Sequence, residues 1–140
     1  MKYIIKAIFG ATILVSCSKP IAADDLKHLN GYWEISEVKT TDGDKKEFQS
    51  NNNVDFFELK DLKGTRTKVV PQLDGKKTTN GISENFVVID SANATYLKYH
   101  TNFAKWTEKV EKLTNEELVI SNENDIKYTY KRFTPITINE

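Results

Sequence analysis

Short segments rich in apolar, aromatic and β-branched residues alternate with turn-forming residues along most of this 140-residue chain, and this alternation constrains its fold. Such residues suit a pleated, half-buried surface, and no convincing helix of ten or more residues appears among them. The pattern predicts strands near 32–40, 54–61, 65–73, 84–90, 94–101, 103–113, 117–121 and 126–133. The chain is therefore expected to be an all-β protein.

Residues typical of hairpin turns separate these predicted strands. They are Asp42-Gly43, Lys63-Gly64, Asp74-Gly75, Asn80-Gly81, Ser91-Ala92-Asn93 and Asn122-Glu123-Asn124-Asp125. Short connections make consecutive strands antiparallel neighbours, and eight such strands can close into a barrel without exposed edges. The sequence therefore predicts an eight-stranded antiparallel up-and-down barrel.

Two segments of the predicted strands carry conflicting signals. Trp106, Val110 and Leu113 have the spacing of a helix face, but every second residue from 105 to 111 is polar, which favours a strand. Pro71 has no amide hydrogen to donate, so we expect a bulge or a loosely paired strand end there.

The segments on either side of the first predicted strand are not predicted to be strands. Ahead of it, Asp24-Asp25 can cap a single helical turn that carries Leu26 and Leu29 on one side and is broken by Gly31. After it, the polar stretch 43–53 is the longest predicted loop, either a mobile lid or a solvated connection.

The N-terminus carries the pattern of a signal peptide. Lys2 and Lys6 precede an apolar run over residues 7–15, which is too short for a spanning helix of about 20 residues. The run leads into Leu14-Val15-Ser16-Cys17, which resembles the lipobox of bacterial lipoproteins. That resemblance implies cleavage before Cys17, a diacylglyceryl thioether on its sulfur and further acylation, for instance with palmitate. The alternative is an ordinary secretory signal that happens to contain a cysteine.

Cleavage at that point would leave a chain of single-domain size. The remaining 124 residues hold 18 basic and 20 acidic side chains, and a net charge of −2 gives no reason to expect a nucleic-acid partner. Cys17 is the only cysteine, so no disulfide is expected. We expect a signal peptide over 1–16, a lipidated tether over 17–25 and one barrel domain over 26–140, present as a monomer and attached to a membrane through acylated Cys17.

The two ends of the predicted barrel carry residues in a familiar order. Gly31-Tyr32-Trp33 opens the first strand, and the last strand ends in Tyr128-Thr129-Tyr130-Lys131-Arg132. This arrangement resembles the lipocalins and, more narrowly, the short lipocalin-like lipoproteins of Gram-negative bacteria, which also carry a segment like that at 113–118. The resemblance implies a lipocalin-like barrel in the cell envelope, at the outer membrane, with Arg132 closing the barrel floor by a cation–π stack on Trp33.

Alternation along the strands assigns one residue phase to the barrel interior. The candidate ligand-lining residues in that phase are Phe57, Tyr99, Trp106, Glu108, Tyr128 and Tyr130. An eight-stranded barrel is just wide enough to be filled by its own side chains or to hold one small ligand. Two functions therefore stay open: binding or carriage of a small fatty-acid-like or aromatic molecule, or a structural or interaction role with a packed barrel.

Glu108 is the polar residue that stands out, because it interrupts an otherwise apolar stripe. A lone buried carboxylate is costly unless it is paired. Glu108 could orient a ligand amine or hydroxyl. Alternatively, it lies at the barrel rim or pairs with Arg66 or Arg132.

The sequence offers little for catalysis, metals or cofactors. His28 and His100 are the only histidines, no serine lies in a Gly-x-Ser-x-Gly elbow, and no His/Cys cluster has metal-ligand spacing. We therefore expect no enzymatic activity, no metal and no cofactor.

Basic residues cluster around the second and third predicted strands. They are Lys60, Lys63, Arg66, Lys68, Lys76 and Lys77. Such a cluster predicts either a solvated sheet edge or contact with an anionic surface.

Overall fold

A computed structural model of the protein describes residues 19–49, 54–72 and 76–134. These residues form a short 3-10 helix, Leu26–Leu29, and nine strands. The strands are β1 (Gly31–Lys39), β2 (Lys45–Glu47), β3 (Val54–Lys60), β4 (Lys63–Pro71), β5 (Lys77–Ser91), β6 (Ala94–His100), β7 (Lys105–Leu113), β8 (Glu117–Ser121) and β9 (Lys127–Arg132). Within these ranges, no helical segment has the length and apolar composition that crossing a bilayer requires.

Strand β1 closes the sheet because it pairs with both the next long strand and the last one. Its residues 31–34 pair with residues 54–57 of β3, and its residues 33–39 pair with residues 127–132 of β9. From β3 to β9, each strand pairs antiparallel with the next along the chain. The predicted fold is confirmed: β1 and β3–β9 form a closed, eight-stranded antiparallel up-and-down barrel with a short helical turn ahead of it.

The stretch 43–53, predicted as a loop, contains the additional strand β2, so that prediction is wrong for residues 45–47. Strand β2 pairs with residues 37–39 of β1, whose other edge is bound to β9. Lys45 forms salt bridges with Glu37 (3.0 Å) and Glu47 (2.7 Å). All three residues of β2 are exposed, so no apolar alternation marked this strand in the sequence.

Two of the predicted turns are wrong. The β3–β4 turn is formed by Asp61 and Leu62, both with left-handed φ angles of 50° and 64°, instead of Lys63-Gly64. Gly64 lies inside β4, where a Cβ atom would clash with Cζ of Phe86. The glycine there serves close packing across the barrel wall, not chain reversal.

The predicted turn at Asn80-Gly81 is instead an irregularity within the long strand β5. Thr67 pairs with Ser83 and Val69 pairs with Thr79, so residues 80–82 bulge opposite a single residue of β4. Gly81 accommodates this bulge with a φ of +75°. The predicted turn at Asp74-Gly75 lies outside the described residues.

Three further local predictions agree with the structure. Residues 105–113 form a strand, not a helix. Pro71 forms the last pair of β4, opposite Lys77, as expected for a strand end. Ala92 and Asn93 turn the chain between β5 and β6 with φ angles of 49° and 59°.

The apolar core lies toward the barrel end that the 3-10 helix covers, here called the closed end. Leu26 and Leu29 of that helix are buried against the barrel core. Trp33 is fully buried, and its indole Nε1–H donates to the carbonyl oxygen of Leu29 at 2.9 Å. The turn and the first strand are thereby fixed to each other.

Arg132 completes the closed end from the last strand. Its guanidinium carbon lies 3.7 Å from the centroid of the Trp33 ring, so the predicted stack is present. The same guanidinium donates to three carbonyl oxygens, those of Asn115 (2.8 Å), Asn30 (2.7 Å) and His28 (2.6 Å). One side chain therefore joins β9, the β7–β8 turn and the segment that enters β1.

Replacement of Arg132 by alanine is expected to lower the free energy of unfolding by about 2–3 kcal/mol, because it removes a cation–π contact and three charge-assisted hydrogen bonds. Arg132→Lys should restore only part of the lost stability, since an ammonium group lacks the planar set of N–H donors that a guanidinium presents. Urea unfolding measures both changes. Lys131→Ala is the matched control, because its salt bridge to Glu34 is half exposed and should contribute at most about 1 kcal/mol. Equal losses for Arg132→Ala and Lys131→Ala would contradict the assigned role.

Candidate functional site

The interior of the barrel contains a largely buried arginine for which the sequence allows two positions. The prediction of Arg66 in a solvated basic edge is wrong, since its side chain is only 11% exposed, whereas the alternative that it pairs with Glu108 agrees with the structure. Its guanidinium bonds to Oε2 of Glu84 at 2.7 Å and to Oε2 of Glu108 at 3.2 Å. The guanidinium carbon also lies 4.6 Å from the centroid of the Tyr99 ring. A charge in this position requires such partners, because an unpaired buried ion is strongly destabilising.

Glu108 is the second member of this cluster. Its position agrees with one of the alternatives that the sequence left open, a pair with Arg66. It is 7% exposed and pairs with Arg66, whereas Arg132 lies at the closed end. Burial raises the pKa of the Glu108 carboxyl above its ordinary value, although Arg66 acts in the opposite direction. For Arg66, burial by itself would lower the pKa, but Tyr99 and the carboxylates around it together raise the pKa above its ordinary value. The guanidinium therefore stays charged, while Glu108 is the group that titrates more easily.

Tyr99 connects this cluster to a ladder of aromatic rings. Its ring stacks on that of Trp106, with centroids 4.8 Å apart and planes at 6°, and it contacts Phe86 on the other side at 5.4 Å. Tyr99 is 1% exposed, and its hydroxyl has no hydrogen-bond partner among the described residues. Burial, together with the neighbouring Glu108 carboxyl, raises the pKa of this phenol well above its ordinary value. The hydroxyl is thus a neutral, buried polar group in need of a partner.

A second ion pair lies in the same interior residue phase. Asp55 is 4% exposed and accepts a hydrogen bond from the Nζ of Lys68 at 2.8 Å. Tyr130 is also buried, and burial first, then the nearby Asp55 carboxylate, raises the pKa of its phenol. The Lys68 side chain is 64% exposed and reaches Asp55 from the solvent side, so Arg66 is the largely buried cation of these two ion pairs.

Strand alternation could have predicted the interior position of two of these charged residues. Asp55 stands two positions before Phe57, and Glu84 two before Phe86, so the alternation that placed the aromatic residues inside also places both acids there. Arg66 gave no such signal, because its neighbours in phase are Gly64 and a lysine.

A cavity of about 220 Å³ opens at the barrel end opposite the 3-10 helix, here called the mouth cavity. Of the predicted ligand-lining residues, Trp106, Glu108 and Tyr128 line it, together with Thr107 and residues 122–124 of the β8–β9 turn. The remaining three predicted residues are placed elsewhere: Phe57, Tyr99 and Tyr130 are buried in the packed core.

Other surface features lie apart from this cavity. Two larger grooves, of about 610 and 560 Å³, share Lys63, Gly64 and Asn85 on the outer wall. His28 lies 3.9 Å from Asp25 at the closed end, and His100 lines one of the outer grooves. In the described part of the chain, no three His, Cys, Asp or Glu side chains are grouped to hold a metal ion.

The raised pKa of Glu108 predicts a pH effect on stability. Because the folded protein holds this proton more tightly than the unfolded chain, the contribution of Glu108 to stability grows as the pH falls and is lost as the pH rises through its folded pKa. Between pH 7 and pH 5, the wild type should therefore gain stability relative to Glu108→Gln, by at most about 1.4 kcal/mol per pH unit. Urea unfolding of both proteins across this range measures the difference. A difference that is constant, or that shrinks on acidification, would contradict the prediction.

Comparison with known proteins gives matches at the level of structure. No family profile and no curated protein matches the sequence. The chain is similar to the solved structure of a lipocalin-like protein from Bacteroides uniformis ATCC 8492, with a TM-score of 0.46 and 18% identity over 76% of this chain and 99% of that one. It is also similar to an uncharacterized protein from Bacteroides eggerthii DSM 20697, with a TM-score of 0.48 and 11% identity over 75% of this chain and 99% of that one. The barrel closure, the helical turn ahead of β1 and the Arg132–Trp33 stack give this protein the lipocalin-like architecture that its sequence resembles.

Proposed function

We propose that this protein is a lipid-anchored, lipocalin-like protein of the cell envelope that binds a small, largely apolar ligand in its mouth cavity. Ligand binding is a function that barrels of this size can support. The observation that carries the proposal is the combination of an aromatic wall, Trp106 and Tyr128, with the Glu108 carboxyl in one cavity. Apolar walls with a few placed polar groups are the usual composition of small-molecule sites.

The chemistry of the mouth cavity favours a ring-containing ligand with a hydroxyl or amine. Stacking on Tyr99 holds the Trp106 ring in one orientation, so its position is set before any ligand arrives. Glu108 lines the same cavity, and its carboxyl can hydrogen-bond a hydroxyl or amine of a ligand whose ring lies against Trp106.

The size of the cavity limits what it can hold. A volume of about 220 Å³ is below the roughly 300–1,000 Å³ of typical small-molecule sites. The ligand is therefore small, or it enters the barrel with one end only. We propose that the protein binds this ligand without transforming it.

A second candidate function is a structural or interaction role with a barrel that carries no ligand. One observation favours it: the core beneath the Arg66 cluster is filled. Trp33, Phe57, Leu97 and Leu118 are each fully buried there, so no deep ligand site exists among these side chains. The two candidates differ in whether the mouth cavity is occupied.

Binding of an aromatic alcohol to the mouth cavity can be tested with 2-naphthol. We expect isothermal titration calorimetry to detect saturable binding to the wild type, and Trp106→Ala to weaken it at least several-fold because the ring loses its aromatic wall. Phe103→Ala is the matched control, since Phe103 is 98% exposed, lies three residues away and is not among the cavity-lining residues. Native mass spectrometry of the purified wild type should also show a co-purifying mass. A bare polypeptide mass together with no naphthol binding would favour the packed-barrel function.

Membrane attachment through Cys17 is tested separately. This residue lies outside the described part of the chain, which begins at Lys19. Radiolabelled palmitate should enter the wild type expressed in a Gram-negative host and should not enter Cys17→Ala. Equal labelling of both proteins, or none of the wild type, would refute the lipid anchor while leaving the ligand site unaffected. We further propose that the protein is a monomer attached to the membrane through this acylated cysteine.

A further inference from the structure

The segment that follows Cys17 is fixed to the closed end of the barrel. The backbone N–H of Ile21 donates to Oγ1 of Thr95 at 2.8 Å, and that hydroxyl donates to Oδ1 of Asp90 at 2.6 Å. Thr95 is fully buried, and Ile21 packs against the core. Ile21 lies four positions after Cys17, and a chain of that length spans at most about 14 Å. A lipid on Cys17 would therefore hold the closed end close to the membrane.

An unusual turn lies at this same end. Leu62, at the tip of the β3–β4 hairpin, has a left-handed φ of 64° and is 53% exposed. Left-handed positions in tight hairpins favour glycine or asparagine, and they are unfavourable for bulky side chains. Because Leu62 remains half exposed, packing within the protein recovers little of that cost. A residue that breaks a local rule without an internal gain points to a contact outside the protein.

Further exposed apolar side chains lie beside Leu62. Its carbonyl oxygen accepts a hydrogen bond from Val88 N–H at 2.8 Å, which holds the turn against β5. On either side of Val88, Val87 and Ile89 point outward, and each is 37% exposed. The β3–β4 turn and the neighbouring strand β5 thus both contribute to one apolar surface on the outside of the barrel.

Lysines surround this apolar surface. Lys60 and Lys63 flank the turn and are exposed, and Lys98, also exposed, pairs with Val87 from the next strand. Asp61, in the turn itself, and Asp90, directly after Ile89, are the exposed acids beside them, so these five charges sum to +1. Apolar side chains framed by lysines are typical of surfaces that meet anionic lipid headgroups.

We propose that Leu62, Val87 and Ile89, framed by Lys60 and Lys63, form a membrane-docking patch that lies on an anionic lipid surface. This inference rests on the lipid anchor proposed above, and it adds an orientation that the anchor alone does not set. The patch and the tether share the closed end, so docking turns the mouth cavity away from the bilayer. Phe103, in the β6–β7 turn at the mouth end, should then remain in water.

The orientation can be measured with an environment-sensitive label at either end of the barrel. Leu62→Cys and Phe103→Cys are each made in the full-length protein, acylated at Cys17 in the cell, and labelled with a nitrobenzoxadiazole maleimide. The purified proteins are reconstituted into vesicles of phosphatidylethanolamine and phosphatidylglycerol that contain a shallow doxyl-lipid quencher. Thermal unfolding of both labelled proteins checks that each is folded.

We expect the label at position 62 to be quenched several-fold more strongly than that at position 103, with a blue-shifted emission. In the Leu62→Cys protein, Lys60→Gln with Lys63→Gln should reduce this quenching, as should replacement of phosphatidylglycerol by phosphatidylcholine. Equal quenching at both positions, or stronger quenching at position 103, would overturn the proposal.

Palmitate labelling of the same preparations separates the two possible failures. If palmitate is incorporated but position 62 stays unquenched, the docking patch is refuted and the anchor stands. If palmitate is not incorporated and neither label is quenched, the anchor is refuted and the orientation falls with it.

Discussion

The charge on Arg66 organises the interior of this barrel. A guanidinium that is nearly inaccessible to water needs compensating partners, and here two glutamates from different strands supply them. Glu84 comes from the neighbouring strand β5, whereas Glu108 reaches across from β7. The ion pairs thereby connect opposite parts of the barrel wall. They also divide the interior into an apolar region at the closed end and a polar region toward the mouth.

This division explains why the aromatic residues have different roles despite sharing one strand phase. Phe57 and Trp33 lie on the apolar side, where they fill the core and are not exposed. Trp106 lies beyond the Arg66–Tyr99 stack, at the border of the mouth cavity. An amphipathic ring suits this border, because one of its faces packs on Tyr99.

The sequence predicted the fold well because strand alternation and turn residues reflect the same local physics that the structure obeys. The strand order and the Arg132–Trp33 stack could be stated from residue patterns or from the lipocalin resemblance, whereas the pairing of Glu108 with Arg66 was one of several open alternatives. The errors have specific causes. Glycine at position 64 is required by the close approach of Phe86, and glycine at position 81 by a bulge, and neither purpose can be distinguished from a turn in a single sequence.

The position of Arg66 could not be predicted because its two neighbours in the interior phase of β4, Gly64 and Lys68, are not apolar. Apolar residues identify the buried face of a strand when the core is apolar throughout. Here Gly64 and Arg66 occupy that face of β4, and the burial of Arg66 depends on Glu84 and Glu108, which are distant in sequence. The polar cluster arises from tertiary pairing, which local patterns do not record.

The filled core and the mouth cavity lead to one view of how such a barrel could function. Large side chains occupy the region below the Arg66 cluster, so a deeply buried ligand would have to displace packed aromatic rings, at a cost of several kcal/mol. A ligand at the mouth displaces nothing of that kind and meets a tryptophan whose orientation is already set. A ligand bound at the mouth buries less of its surface than one bound deep in the barrel, but its binding requires no conformational change at the closed end. Under the proposed attachment through Cys17, ligand at the mouth would therefore exchange without disturbing the closed end of the barrel.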